Sequence, residues 1–257
     1  PELSGPVSLD RVYRGGSLSR AARMFGRVIT GGGSAIHHYF FAPHPKAVHV
    51  VRGAALLARR PTVHTIPSAP ASDLNPASLL FADRTVVMSE ATALLFASSG
   101  APTPTVIRPG TTVPPEPARR REARQRLESS DVALSWGEAP VLLYPGDLSF
   151  SDGALTFIEA AGRIAQTHPT ARFALACRAK TPHAAQVLAQ VHRRAEQLGI
   201  SERVHTLGVV ADMATLLGAV DLVVMPVDTL YAKIDVPLVL LEAMALGIPA
   251  VVSDLPS

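Results

Sequence analysis

The chain has 257 residues, 47% of them hydrophobic and 18% charged, and a formal net charge of +3. That length suits two domains of roughly 100–150 residues each, and that balance excludes a disordered or fibrous chain. A single cysteine, Cys177, excludes an intrachain disulfide and fits a reducing compartment, and no apolar run reaches the ~20 residues that span a bilayer.

The chain opens on Pro1, not Met, and stops just past an apolar run at residues 249–252, which reads as a piece cut at both ends. No signal peptide is visible. Gly31, Gly32 and Gly33 precede an apolar run instead of following one, so they read as a connector and not as a phosphate cradle. From there the spacing predicts strands over 36–41, 62–66, 84–88 and 105–107, with helices over 47–59 and 90–98. Residues 111–138 are proline-rich and then arginine-rich, with no core-like run. They read as a linker plus an exposed helix.

Arg119, Arg120, Arg121, Arg124 and Arg126 gather much of the basic charge there. They fit a phosphate-rich partner or an anionic membrane face, or a solvated helix face, since Glu122 and Glu128 are interleaved. Aromatic content is only 5%, with no stacking pattern near the arginines, which argues against nucleic acid.

The second half is more regular. Strands are predicted over 140–144, 172–177, 204–207, 221–225 and 249–252, and helices over 154–167, 182–198, 213–220 and 237–246. Continuous apolar strands alternating with helices call for a parallel sheet covered on both faces. Such sheets bind ligands beyond the carboxyl ends of their strands. The loops starting near Gly146, Arg178, Gly208 and Pro226 are therefore the ones to watch.

The most informative segment runs from Tyr231 to Pro249. Pro237 suits a first helical turn, where its missing N–H costs nothing. The helix after it is apolar almost all round, which predicts burial. Glu242 breaks that rule, and a buried carboxylate needs a partner. A vicinal diol such as a ribose suits it, because a carboxylate accepts two parallel hydrogen bonds; an ion pair with Arg178 suits it equally. The helix N-terminus would hold a diphosphate, and Lys233 just upstream could add a full charge. Lys233 and Asp235 also fit an exposed loop pair. No His, Cys or carboxylate spacing suggests zinc, and the absence of Gly-x-Ser-x-Gly disfavours an α/β-hydrolase.

Residues 240–252, Leu-Leu-Glu-Ala-Met-Ala-Leu-Gly-Ile-Pro-Ala-Val-Val, are similar to the signature of retaining glycosyltransferase family 4. So are residues 219–226, Ala-Val-Asp-Leu-Val-Val-Met-Pro, and, in the first half, residues 82–90 and 106–110. The ordered set is more specific than any one motif.

The resemblance implies an α/β protein of the GT-B type, with two Rossmann-like domains whose parallel sheets face a cleft. The acceptor-side domain would span 1–112, a linker 113–138, and the donor-binding domain 139–257. It implies a retaining transferase that needs no metal or cofactor. The donor would be a UDP- or GDP-sugar and the acceptor a sugar or lipid-linked hydroxyl. The setting would be polysaccharide or glycolipid assembly in the cytoplasm, at the inner membrane face. Glu242 matches the glutamate that holds the donor ribose.

Three positions depart from the pattern. The first glutamate of the family's pair falls at Ile234, with Asp235 the nearest carboxylate. The arginine and lysine expected after the first strand look like Asp147 and Asp152, which would repel a diphosphate. Positive charge would then come from Lys233, or from Arg178 and Lys180. The candidate donor set is thus Glu242, Leu241, Gly146, Asp147, Arg178 and Lys180, with Lys233, Asp235 and His64 as catalytic candidates. His64 could face the sugar, or it could be a hydrogen-bonded core histidine. Two other readings stay open: a nucleotide-sugar epimerase of the same fold, and a catalytically dead binding subunit.

Overall fold

A computed structural model describes residues 26–30, 36–112, 120–129, 134–179, 181–229 and 234–255. The chain divides into two compact units, 1–107 and 108–257.

The first unit holds four parallel strands, β1 (His37–Phe40), β2 (Thr62–Ile66), β3 (Arg84–Val87) and β4 (Thr105–Val106), in the order β1-β2-β3-β4. Between them lie α1 (Pro45–Ala58) and α2 (Glu90–Ser98). Local chemistry sets the boundaries. Pro45 opens α1, and the chain leaves it through Arg59 in the left-handed region, φ 49°. Ser89 caps α2 by accepting from the Thr92 amide at 3.2 Å. The side chain of Asn75 likewise caps a short 3-10 helix, Pro76–Leu79, that the sequence did not announce. Ile66, Val87, Ala93 and Phe96 form a small buried core between β2, β3 and α2.

The second unit holds β5 (Val141–Tyr144), α4 (Gly153–Thr167), β6 (Arg172–Leu175), α5 (Ala184–Gln197), β7 (Val204–Thr206), α6 (Met213–Ala219), β8 (Leu222–Met225), α7 (Leu238–Ala245) and β9 (Ala250–Val252). All five strands are parallel, in the order β7-β6-β5-β8-β9. β5 is buried at every position, and β6 and β8 at all but their first. This agrees with the helix-covered sheet that their apolar runs require. β9 departs from it: Val251 and Val252 are 54% and 52% exposed. As an edge strand it has a neighbour on one side only, so an apolar run there does not guarantee burial.

Residues 120–128 do form a helix, α3 (Arg120–Glu128), but it is not a solvated connector. It packs on α6 and buries Ala123, Arg124 and Leu127. Arg124 donates to the carbonyls of Ala219 and Gly137 and to Asp221 Oδ2. Asp221 also accepts from the Val141 amide and pairs with Arg120, which in turn bonds Glu138. Two of the arginines are thereby structural, while Arg121 and Arg126 stay exposed.

Candidate functional site

The order of the second sheet reverses between β5 and β8, since the chain runs outward from β5 to β7 on one side and from β8 to β9 on the other. The loops diverge there and leave a crevice at the carboxyl ends of the strands. A cavity of about 550 Å³ lies at these ends. Its walls include Gly146 and Asp147 after β5, Arg178 after β6, Gly208 to Val210 after β7, and Pro237, Leu238 and Val239 at the start of α7. Three of the four loops singled out from the sequence meet here.

The wall after β5 is fixed by Tyr144. Its fully buried ring stacks on Phe157, and its hydroxyl donates to the Asp147 carbonyl at 3.2 Å. A Cβ at Gly146 would lie 2.1 Å from Cζ of that ring, and one at Gly153 would lie 2.7 Å from its oxygen. Only glycine lets the backbone pass so close, so both glycines follow from the tyrosine between them.

Asp147 borders the cavity, but its carboxylate does not face into it. The residue is 1% exposed, and Oδ1 accepts from the amides of Ser149 and Phe150, both at 2.8 Å. This turn ties Oδ1 to the backbone of its own loop instead of presenting it to a ligand. Asp152 is exposed at the start of α4, its amide donating to Asp228.

Arg178 lines the same cavity, its backbone joined to Asp147 in a parallel bridge that extends the β5–β6 pairing. It is exposed and, among the described residues, makes no ion pair. The pairing with Glu242 weighed from the sequence is therefore not formed.

α7 presents two faces. Leu238 and Val239 line the cavity, and Glu242 lies three and four residues on, one turn further along the same face. Glu242 is half-buried; among the described residues its one polar neighbour is the Thr111 hydroxyl at 3.5 Å. Pro237, Leu240, Leu241 and Met244 line a second, mostly apolar cavity of about 210 Å³ with buried Asp235. The helix is not buried all round as expected, for Met244 is 68% exposed. It covers the margin of the sheet beside β9, so only part of its apolar girth meets the core.

His64 lies apart from these groups, in the first unit. It is fully buried, with its ring 4.4 Å from that of Phe41 and 4.8 Å from that of Phe81, and Nε2 donating to the Phe41 carbonyl at 3.2 Å. Burial pushes its pKa down to about 4. This is the geometry of the core histidine alternative and offers a substrate no access. A cavity of about 630 Å³ in that unit opens by Arg84, Thr85 and Thr105. Those are the amino ends of β3 and β4, opposite to where open sheets bind ligands. Asp83 there accepts from the amide and hydroxyl of Thr62.

Lys233, Lys180 and the glycines at 31–33 lie outside the described residues. Sequence reasoning missed Val210, Met213 and Val239 as cavity walls. Their signal was available only as apolar residues in a loop or at a helix start, which the same residues would also show in a core. Among the described residues no group of three or more His, Cys, Asp or Glu could hold a metal ion, and no helix is long and apolar enough to cross a membrane.

Known proteins share this fold. Residues 139–257 match the family model of glycosyl transferases group 1. Anabaena HepE, solved with UDP-glucose, is 22% identical with a TM-score of 0.71 over 91% of this chain and 63% of HepE. HepE with UDP and glucose gives 23% and 0.72, over 93% of this chain and 65% of HepE. The fold is GT-B. Other proteins sharing this GT-B fold include a glycosyltransferase from Rickettsia africae, 13% identical with a TM-score of 0.62, over 93% of this chain and 62% of that one. An alpha,alpha-trehalose-phosphate synthase (UDP-forming) from Burkholderia vietnamiensis is 12% identical with a TM-score of 0.61, over 89% and 59%. This chain thus spans under two thirds of the length of each of these GT-B structures. No curated protein matches the sequence.

Proposed function

We propose that this chain is the greater part of a retaining, metal-independent glycosyltransferase that takes its sugar from a nucleoside-diphosphate sugar. The observation that carries the reading is one helix, α7. Its first turn opens on the cavity at the strand reversal, and Glu242 follows one turn along the same face. A helix N-terminus attracts phosphate through its unpaired N–H groups and dipole. A carboxylate one turn on, about 5.4 Å along the axis, would accept both hydroxyls of the adjoining ribose. Glu242 is available for this, since nothing described holds it except a long contact with Thr111. UDP is the favoured carrier because HepE was solved with UDP-glucose and with UDP.

In the transfer, the bond from the anomeric carbon to the β-phosphate oxygen breaks, and its electron pair leaves on the diphosphate. The acceptor hydroxyl oxygen bonds to that carbon, and its proton ends on the departing phosphate or in solvent. The α7 amides favour the charge that develops on the leaving group, with Lys233 a further candidate for that task. Asp235 is the candidate for contacting the donor sugar or orienting Lys233, and its burial beside Leu241 supports a positioning part. The acceptor, a sugar or lipid-linked hydroxyl, falls to the first unit, and polysaccharide or glycolipid assembly at the inner membrane face is the setting proposed.

Calorimetry tests the donor site. UDP or GDP should bind the wild-type chain. Glu242→Ala should weaken that binding by about 1–3 kcal/mol, the value of a lost hydrogen bond to a charged group, while leaving the fold intact. Equal affinity in the folded variant would remove the ribose role.

A further inference from the structure

We infer that Arg178 is the residue that neutralises the donor diphosphate, an inference that rests on the cavity being a nucleoside-diphosphate site. A diphosphate brings at least two negative charges into a wall that is mostly backbone and aliphatic. The α7 N-terminus supplies a partial charge of roughly half a unit, which leaves most of that charge unmatched. Among the described residues lining the cavity, Arg178 is the one cation and Asp147 the one carboxylate. The carboxylate is withdrawn: it is 1% exposed and accepts from the amides of Ser149 and Phe150. The cation is presented: Arg178 is exposed, and no described carboxylate competes for it.

The backbone bridge between Asp147 and Arg178 links the two facts. It holds the loops after β5 and β6 side by side, so the turn that engages the carboxylate also anchors the arginine beside the cavity. Pro237, Leu238 and Val239 line the same cavity. A diphosphate seated against the α7 amides therefore shares the cavity with Arg178, whose planar guanidinium can bind phosphate oxygens in pairs.

Titration of UDP, GDP and the parent nucleosides into wild type, Arg178→Gln and Arg178→Lys tests this. Arg178→Gln should weaken the preferred diphosphate about 10- to 100-fold, the usual range for a charge-assisted hydrogen bond, and leave its nucleoside unchanged. Arg178→Lys should recover part of the loss, having the charge without the fork. Diphosphate affinity unchanged in Arg178→Gln overturns the inference and leaves the donor site standing. An equal loss for nucleoside and diphosphate overturns it too, because the arginine would then be shaping the loop. A wild-type chain that binds neither UDP nor GDP removes the donor site and this inference together.

Discussion

Two buried polar side chains, Asp147 and His64, show how a residue's environment decides its role. From the sequence both were site candidates. Asp147 instead completes a turn, and His64 packs against two phenylalanine rings. Composition cannot distinguish these outcomes, because a polar residue beside an apolar strand reads the same whether it faces a ligand or its own backbone. The pKa of His64 turns the distinction into a measurement. Desolvation holds it near 4, against 6.5 for the free side chain. The unfolded chain therefore takes up a proton that the folded chain refuses. The contribution of neutral His64 is complete above pH 6.5 and is lost as pH falls towards 4, at 1.36 kcal/mol per pH unit. Urea unfolding of wild type and His64→Leu at pH 7 and pH 4 should show the gap between them shift by about 3 kcal/mol in favour of the variant. Parallel pH profiles would mean that the imidazole is solvated and the core assignment wrong.

Elements were the most legible level of this sequence. The strand at Thr62–Ile66 and the helix at Glu90–Ser98 fall on the ranges predicted from the sequence. The other predicted elements differ by one or two residues at an end, where capping and fraying compete. What the pattern could not give was each element's partner. α7 is apolar except for Glu242, yet Leu238 and Met244 are exposed, because it lies beside β9 at the edge of the sheet. α3 is rich in charge yet docked, because Arg124 trades its hydration for two carbonyls and Asp221. Local sequence carries no record of that trade, which depends on residues about a hundred positions away. Arg124→Met should cost the second unit about 2–3 kcal/mol, the worth of hydrogen bonds made by a charged group. Arg121→Met, on the exposed side of the same helix, should stay within about 0.5 kcal/mol. Equal, small losses in the two variants on denaturant unfolding would show α3 to be the loose connector its composition suggests.

At the scale of the whole chain the two units differ in what holds them. The second packs β5, β6 and β8 inside helices, around a continuous core that runs from Ala123 to Ala243. In the first, the described core is Ile66, Val87, Ala93 and Phe96. Opening free energies follow buried apolar contact, so backbone amides of β5, β6 and β8 should exchange with solvent more slowly than those of β1 to β4. A nucleotide that binds only the folded second unit adds to this difference by mass action. UDP at a hundred times its dissociation constant should raise the opening free energy of that unit by about 2.7 kcal/mol. The added protection should appear in β5, in β8 and in the first turn of α7, and it should leave β1 to β3 as they were. Hydrogen exchange followed by mass spectrometry, with and without UDP, reads both units in one sample. Protection confined to β1, β2 and β3 would move the nucleotide to the first unit and leave Glu242 without its ribose.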